Sequence, residues 1–302
     1  MPMKKSILLS GILLFLFSCG KNEKIKESDI GNEEFLSQTD LRQKPVKKLI
    51  FRNAEDFKES EELNMQLLSK VASNLQIKYS SIKVAESSSI NYDDKTAFFV
   101  LTIMEPNKKV QKSEGEDLGN YFERKYVFAD RESGNIIAEE SDDNLSYYDT
   151  EAIRFSKSHI LKDLVYVNEK MPAVAFYTEA SAGSRIVLYS EQKFTLLTLA
   201  DKKIKKLLYD YPIRKINGDS NGSGTFEVET LETGMSFSDE KTNGCFDLMI
   251  TKNFSYEEAV EGDPENGVEG QSNLKTRKEF EKLKFNGKQY VFHRDGRHRF
   301  LE

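Results

Sequence analysis

Three histidines occur in the 302-residue chain, and two of them, His293 and His298, flank Asp295-Gly296 near the C-terminus. With Asp295-Gly296 as the loop of a two-residue hairpin, His293 stands opposite His298. Such a pair can share a metal, or repel when protonated and sense pH. A metal needs a third or fourth ligand, and no Cys or carboxylate is spaced to supply one. The pair therefore reads as exposed residues of an edge hairpin. A second oxygen-rich stretch runs from Asn217 through Asp219, Asn221 and Gly222 to Thr225. Its donors alternate and a glycine stands sixth, as loops for Ca²⁺ require. Its first position is Asn and its twelfth is Val228 rather than Glu, so its charge is low for a tight site and it reads as a turn. Glu257, Glu258, Glu261, Asp263, Glu265 and Glu269 stand among glycines. They read as an acidic loop between strands that can steer a basic partner. Cys245, in Gly-Cys-Phe-Asp-Leu-Met-Ile, reads as a small buried hydrophobe rather than a reactive thiol.

No nucleophile elbow, zinc-protease helix, phosphate loop or dinucleotide fingerprint occurs in the chain. No catalytic residue, metal or cofactor is assigned. The chain has 50 acidic residues, which leaves hydrolysis by paired carboxylates open. Tryptophan is absent, which argues against a sugar-stacking surface without removing Tyr and Phe as substitutes.

The elements that must position these groups are mainly β. Asn53-Ala-Glu-Asp predicts a helix start, with Asn53 as N-cap. Leu63, Leu67, Leu68, Val71 and Leu75 then form one apolar stripe that should lie on a sheet. Ala97–Met104 reads as a strand, 105–120 as a polar loop and Phe122–Ala129 as the next strand. Arg131-Glu-Ser-Gly reads as a turn with Gly134 at the left-handed position, and Ile136–Glu139 as the return strand. The phrase from Asp130 through Ser133-Gly134 to Ile136 resembles the hairpin of small periplasmic PepSY-type domains, and no function is taken from it. Further strands are expected at Ile160–Val167, Ala173–Thr178, Arg185–Tyr189, Phe194–Leu199, Thr225–Leu231 and Phe246–Thr251. Asn286-Gly287 and Asp295-Gly296 predict a three-stranded meander over 281–302. The fold class expected is α+β, mainly β. A small helix-plus-meander unit, 47–145, is followed by a larger antiparallel β domain, 146–302, sandwich-like or an open sheet.

The N-terminus carries an address. Lys4 and Lys5 precede an apolar run from Ile7 to Phe17, which is too short to span a bilayer. Residues 1–18 therefore read as a secretory signal peptide. Leu16-Phe17-Ser18-Cys19 resembles the lipobox of bacterial lipoproteins. That resemblance implies cleavage before Cys19, a diacylglycerol on its thiol and an acyl chain such as palmitate on its amine. Two or more chains make a stable anchor. Gly20, in place of an inner-membrane-retaining Asp, implies the outer membrane, on its periplasmic or surface side. Residues 19–46 would be the lipidated Cys19 and a charged, flexible tether.

Formal net charge is −6, and −8 once Lys4 and Lys5 leave with the leader. This balance argues against nucleic acid or anionic lipid as the main partner. The function expected is that of a lipid-anchored cell-envelope protein, held to the membrane by its anchor, that binds an unknown protein or envelope component without catalysis. An envelope hydrolase with paired carboxylates and a Ca²⁺-stabilised adhesion module are the alternatives.

Overall fold

The run Ala97-Phe-Phe-Val-Leu101 is apolar without alternation, and every one of its side chains is buried. A strand with two buried faces produces such a run. In the computed structural model, which describes residues 48–60, 63–111, 117–142, 147–148, 153–155, 158–184, 186–267, 269–296 and 299–300, it lies within the strand Thr96–Gln111 (β3). The leader, Cys19, the tether and His298 lie outside the described residues.

The smaller sheet has the order β2 (Ser88–Asn91), β3 (Thr96–Gln111), β4 (Asp117–Asp130) and β5 (Ile136–Ser141), with β6 (Tyr147–Tyr148) on β4. All neighbours are antiparallel. The stretch expected as a polar loop over 105–120 is instead largely the far end of the β3–β4 hairpin, because cross-strand pairing continues to Gln111 and Asp117. The β4–β5 turn follows the expectation: Gly134 has φ +74, and the Asp130 carboxylate accepts from Glu132 N, Ser133 N and the Ser133 hydroxyl. Those bonds hold the Asp130 carboxyl below its usual range.

One α-helix, α1 (Met65–Asn74), lies on the odd-numbered face of β3. Its cap is Asn64, whose Oδ1 accepts from Leu67 N at 3.0 Å. The expected start at Asn53 is corrected: Asn53 caps only a single 3₁₀ turn, Ala54–Asp56. Phe57 follows at once and is buried in the core of the large sheet, which draws the chain out of the helix. Leu67, Leu68 and Val71 are buried as the stripe requires. A Cβ on Gly134 would stand 2.5 Å from Lys70 Cβ, so the glycine also permits the helix to dock on the turn.

The even-numbered face of the same sheet packs on the large sheet. Phe98, Val100, Tyr126 and Phe128 meet Ile160, Val174, Phe176 and Leu197 in one shared core. The segments 47–145 and 146–302 thus touch across a continuous apolar layer, and all of Pro45–Glu302 groups as one unit.

The large sheet is open and antiparallel. Its order is β15 (Gln271–Leu283), β14 (Cys245–Val260), β13 (Phe226–Thr242), β12 (Lys203–Ser220), β11 (Val187–Ala200), β10 (Pro172–Ala182) and β7 (Ile153–Phe155). The short strands β8 (His159–Ile160) and β9 (Val165–Tyr166) also pair with β10, and β1 (Lys48–Phe51) pairs with β13. The strand expected over Ile160–Val167 is therefore two fragments. Those expected at Arg185–Tyr189 and Phe194–Leu199 fall on one, β11, with β12 following across Asp201-Lys202, both in the left-handed region. Asn243-Gly244 makes the same kind of turn between β13 and β14, with φ +49 and +81.

The large sheet forks. β12 and β13 pair only from Arg214/Glu232 to Ser220/Phe226. Beyond that point β12 stays with β11 and slips register against it three times, gaining a residue at each slip. Bulges of this kind bend the longer strand. Meanwhile β1 takes the edge of β13 that β12 has left, pairing with Met235–Phe237. Between the tines lies the largest core, with Phe51, Phe57, Phe194, Tyr211, Phe237 and Tyr290.

The C-terminal meander is formed in part. Phe285 bridges Tyr290 across a turn in which Gly287 has φ +94. Asn286 N donates to Gln289 O, so Gly287-Lys288, not Asn286-Gly287, are the central residues. Past Tyr290 the expected third strand is absent among the described residues: 291–296 pair with no strand and cross the fork instead.

Candidate binding cleft

Where β12 and β13 part, the face of the sheet that is core lower down becomes a cleft. Its floor carries Tyr211 and Lys215 from β12, Glu229 and Leu231 from β13, and Lys252 and Phe254 from β14. The C-terminal segment roofs it. Phe292 packs edge-on against Tyr211 with centroids 4.7 Å apart. The guanidinium of Arg299 lies 4.9 Å from the centroid of Phe254, and Phe300 lies against Tyr256.

Arg299 is the latch. Its side chain is only 8 % exposed. Nε donates to Glu279 Oε1 at 2.8 Å, Nη2 donates to Glu279 Oε2 at 3.3 Å and also to Asp295, and its backbone N donates to Glu229 Oε1 at 2.6 Å. The hydrogen bond from Arg299 holds the Glu279 carboxyl below its usual range, and the two carboxylates push the guanidinium higher still. Beside it, Lys252 meets Glu281 at 2.7 Å, and Glu281 accepts from the Tyr211 hydroxyl at 3.0 Å. Burial, then the Glu281 charge, raises the Tyr211 phenol far above its ordinary value. The acids of the cleft are thus engaged by cations, backbone or phenol. Lys215 and His293 also line it, and neither side chain has a hydrogen bond or ion pair among the described residues.

Arg299→Ala should therefore lower stability by about 2 kcal/mol at neutral pH, the worth of charge-assisted bonds of this kind. Glu279's folded pKa is depressed, so its contribution is complete above the usual carboxylate range and is lost as pH falls through the folded value. The stabilities of wild type and variant should accordingly converge in acid. Urea denaturation at both pH values measures this; equal stability at neutral pH would show the latch to be slack.

A second polar cluster is buried beside the fork. Asp142 accepts from the Tyr126 hydroxyl at 2.6 Å and from the Tyr209 hydroxyl. Asp210 is buried, with φ +56, a left-handed conformation unusual for a residue inside a strand. Burial raises its pKa first and the Asp142 charge second, while Lys193, Arg294 and Arg124 pull the other way.

The residues singled out from sequence are scattered. His293 is exposed at the cleft, and the expected opposition to His298 lies outside the described residues. Asn217 lines the same cleft, on β12. Asp219 is on β12 opposite Glu227. Asn221 spends its Oδ1 on Ser223 N and Thr225 N, closing the β12–β13 turn. No three His, Cys, Asp or Glu residues gather for a metal among the described residues. Glu257 and Glu258 belong to β14 rather than to a loop, and Asp263 turns its carboxylate back to Asn266. Cys245 is buried and its thiol pKa is raised by burial, the reverse of an activated nucleophile.

The chain matches no protein-family model, and no curated protein or solved structure matches it significantly. The residues themselves carry the reading. Arg299, Glu279, Glu281, Tyr211, Lys215 and Lys252 were not legible as a site, because three strands and the C-terminal segment bring them together. The one signal available was the alternation Lys275, Arg277, Glu279, Glu281, which has the period of a strand face.

Proposed function

We propose that the mature chain is a lipid-anchored cell-envelope protein, held in the outer membrane through Cys19, whose body binds a partner without catalysis. The signal and lipobox carry the placement. Among the described residues no helix is long and apolar enough to cross a membrane, which leaves β-strand crossing unaddressed. The reading of the body rests on one observation: the cleft's acids are engaged, while Lys215 and His293 are left as unspent donors beside Leu231, Phe254 and Phe292. Such a lining suits a protein or envelope component that offers a carboxylate or phosphate next to an apolar group. The strained, raised-pKa Asp210 beside Asp142 favours a second reading, carboxylate hydrolysis.

Full-length protein, extracted in detergent from its own envelope, tests the first reading. A component that co-purifies with wild type and with Lys78→Glu, a change at an exposed site elsewhere, should be lost with Lys215→Glu. Equal recovery from all three contradicts the cleft as the binding site. Turnover of a hydrolase substrate, abolished by Asp210→Asn, would replace this reading by the second.

A further inference from the structure

β15 is an edge. It pairs with β14 on one side and with no strand on the other among the described residues. Gln271–Lys278, Phe280 and Lys282 are exposed, and the strand carries two of the large apolar side chains most open to solvent, Leu274 at 64 % and Phe280 at 56 %. A bare edge of this length is a template for another strand, and proteins usually blunt it with charged side chains, proline, a bulge or a cover. Here the charge changes sign along the strand. One face reads Lys275, Arg277, Glu279, Glu281.

We propose that β15 is the interface by which two copies of this chain pair, edge to edge and antiparallel, about a two-fold axis through Lys278. Such an axis stands perpendicular to the sheet and keeps each face on its own side, so odd-numbered residues meet odd-numbered ones. Centred on Lys278, Lys275 faces Glu281 of the second copy and Arg277 faces its Glu279, each twice. Every charged residue on that face is then opposite its complement. Centred on Arg277, like charges meet at Arg277 itself and Glu281 faces Asn273. Centred on Glu279, two carboxylates meet. On the other face Phe280 stands opposite Thr276 and diagonal to Leu274 of the second copy, which covers both exposed apolar side chains. The one like pair, Lys278 with itself, is softened because each ammonium lies over the Phe280 ring of its own chain, 5.4 Å from the centroid. Within one chain Glu279 already meets Arg299 and Arg277, and Glu281 meets Lys252 and the Tyr211 hydroxyl, yet both carboxylates stay partly exposed on the side where a further donor would arrive.

Cysteines introduced into the full chain in its own membrane test this by oxidative cross-linking. Lys278→Cys should form a covalent dimer, since that position meets itself. Thr276→Cys alone should not, but should link when co-expressed with Phe280→Cys. The parent chain reports any background from Cys19 and from buried Cys245. Adding Lys275→Glu and Arg277→Glu to Lys278→Cys sets like charges opposite each other and should cut the linked fraction about tenfold or more. Circular dichroism of each variant confirms an intact sheet. Cross-linking of Lys278→Cys no greater than that of Thr276→Cys, or unchanged by the charge reversal, would overturn the proposal.

Discussion

Replacing Phe176 with alanine should cost about 3–5 kcal/mol, as truncating a buried Phe does when the cavity collapses only in part. Phe176 has no exposed surface. It stands on β10 but packs on the other sheet, with ring centroids 6.1 Å from Phe98 and 5.4 Å from Tyr126. Because the cavity opens in the layer that both sheets share, the loss should appear as one transition moved to lower temperature. Near-ultraviolet and far-ultraviolet circular dichroism should report the same midpoint. Two separated transitions, only one of them moved, would show that the sheets unfold independently and that the shared layer contributes little.

Cys19→Ala should have the largest effect on behaviour. An anchor of two or more acyl chains holds a protein stably, whereas the body has no described helix fit to cross a bilayer. The variant should leave the outer-membrane fraction and appear as soluble or mislocalised protein, scored by fractionation and immunoblotting. Retention equal to that of wild type would contradict the lipobox.

Legibility followed burial. β3 was readable because Ala97–Leu101 is buried on two faces, and α1 because Leu67, Leu68 and Val71 repeat with helical spacing. The turn at Gly134 was readable because only particular residues accept that backbone. β15 was not, because a strand exposed on both faces carries no apolar alternation. Its charges alternate instead, and a search for hydrophobic period passes over them. The long β12 was missed for a related reason. Three register slips break its period, so no single alternation runs its length. The helix start was misplaced because Asn53 and Asn64 are equally good caps in isolation. What separates them is Phe57, whose ring is buried against Tyr177, more than a hundred residues further along the chain.

The site was less legible than the fold. Arg299 reads as one of many charged residues near the C-terminus, and its partners Glu229, Glu279 and Asp295 come from two strands and the roof itself. Long-range pairing of this kind leaves no local pattern. Asp210 is a clearer case still: its left-handed backbone comes from a bulge between β11 and β12, which no property of the residues around it announces.

Mass spectrometry of the first tryptic peptide of the protein from its own envelope tests the central claim most directly. The peptide should begin at Cys19 and carry the added mass of a diacylglycerol on the thiol, with a further acyl chain on the amine. A first peptide that starts elsewhere, or that starts at Cys19 with no fatty acyl mass, would contradict the anchor and remove the placement on which the proposed function rests.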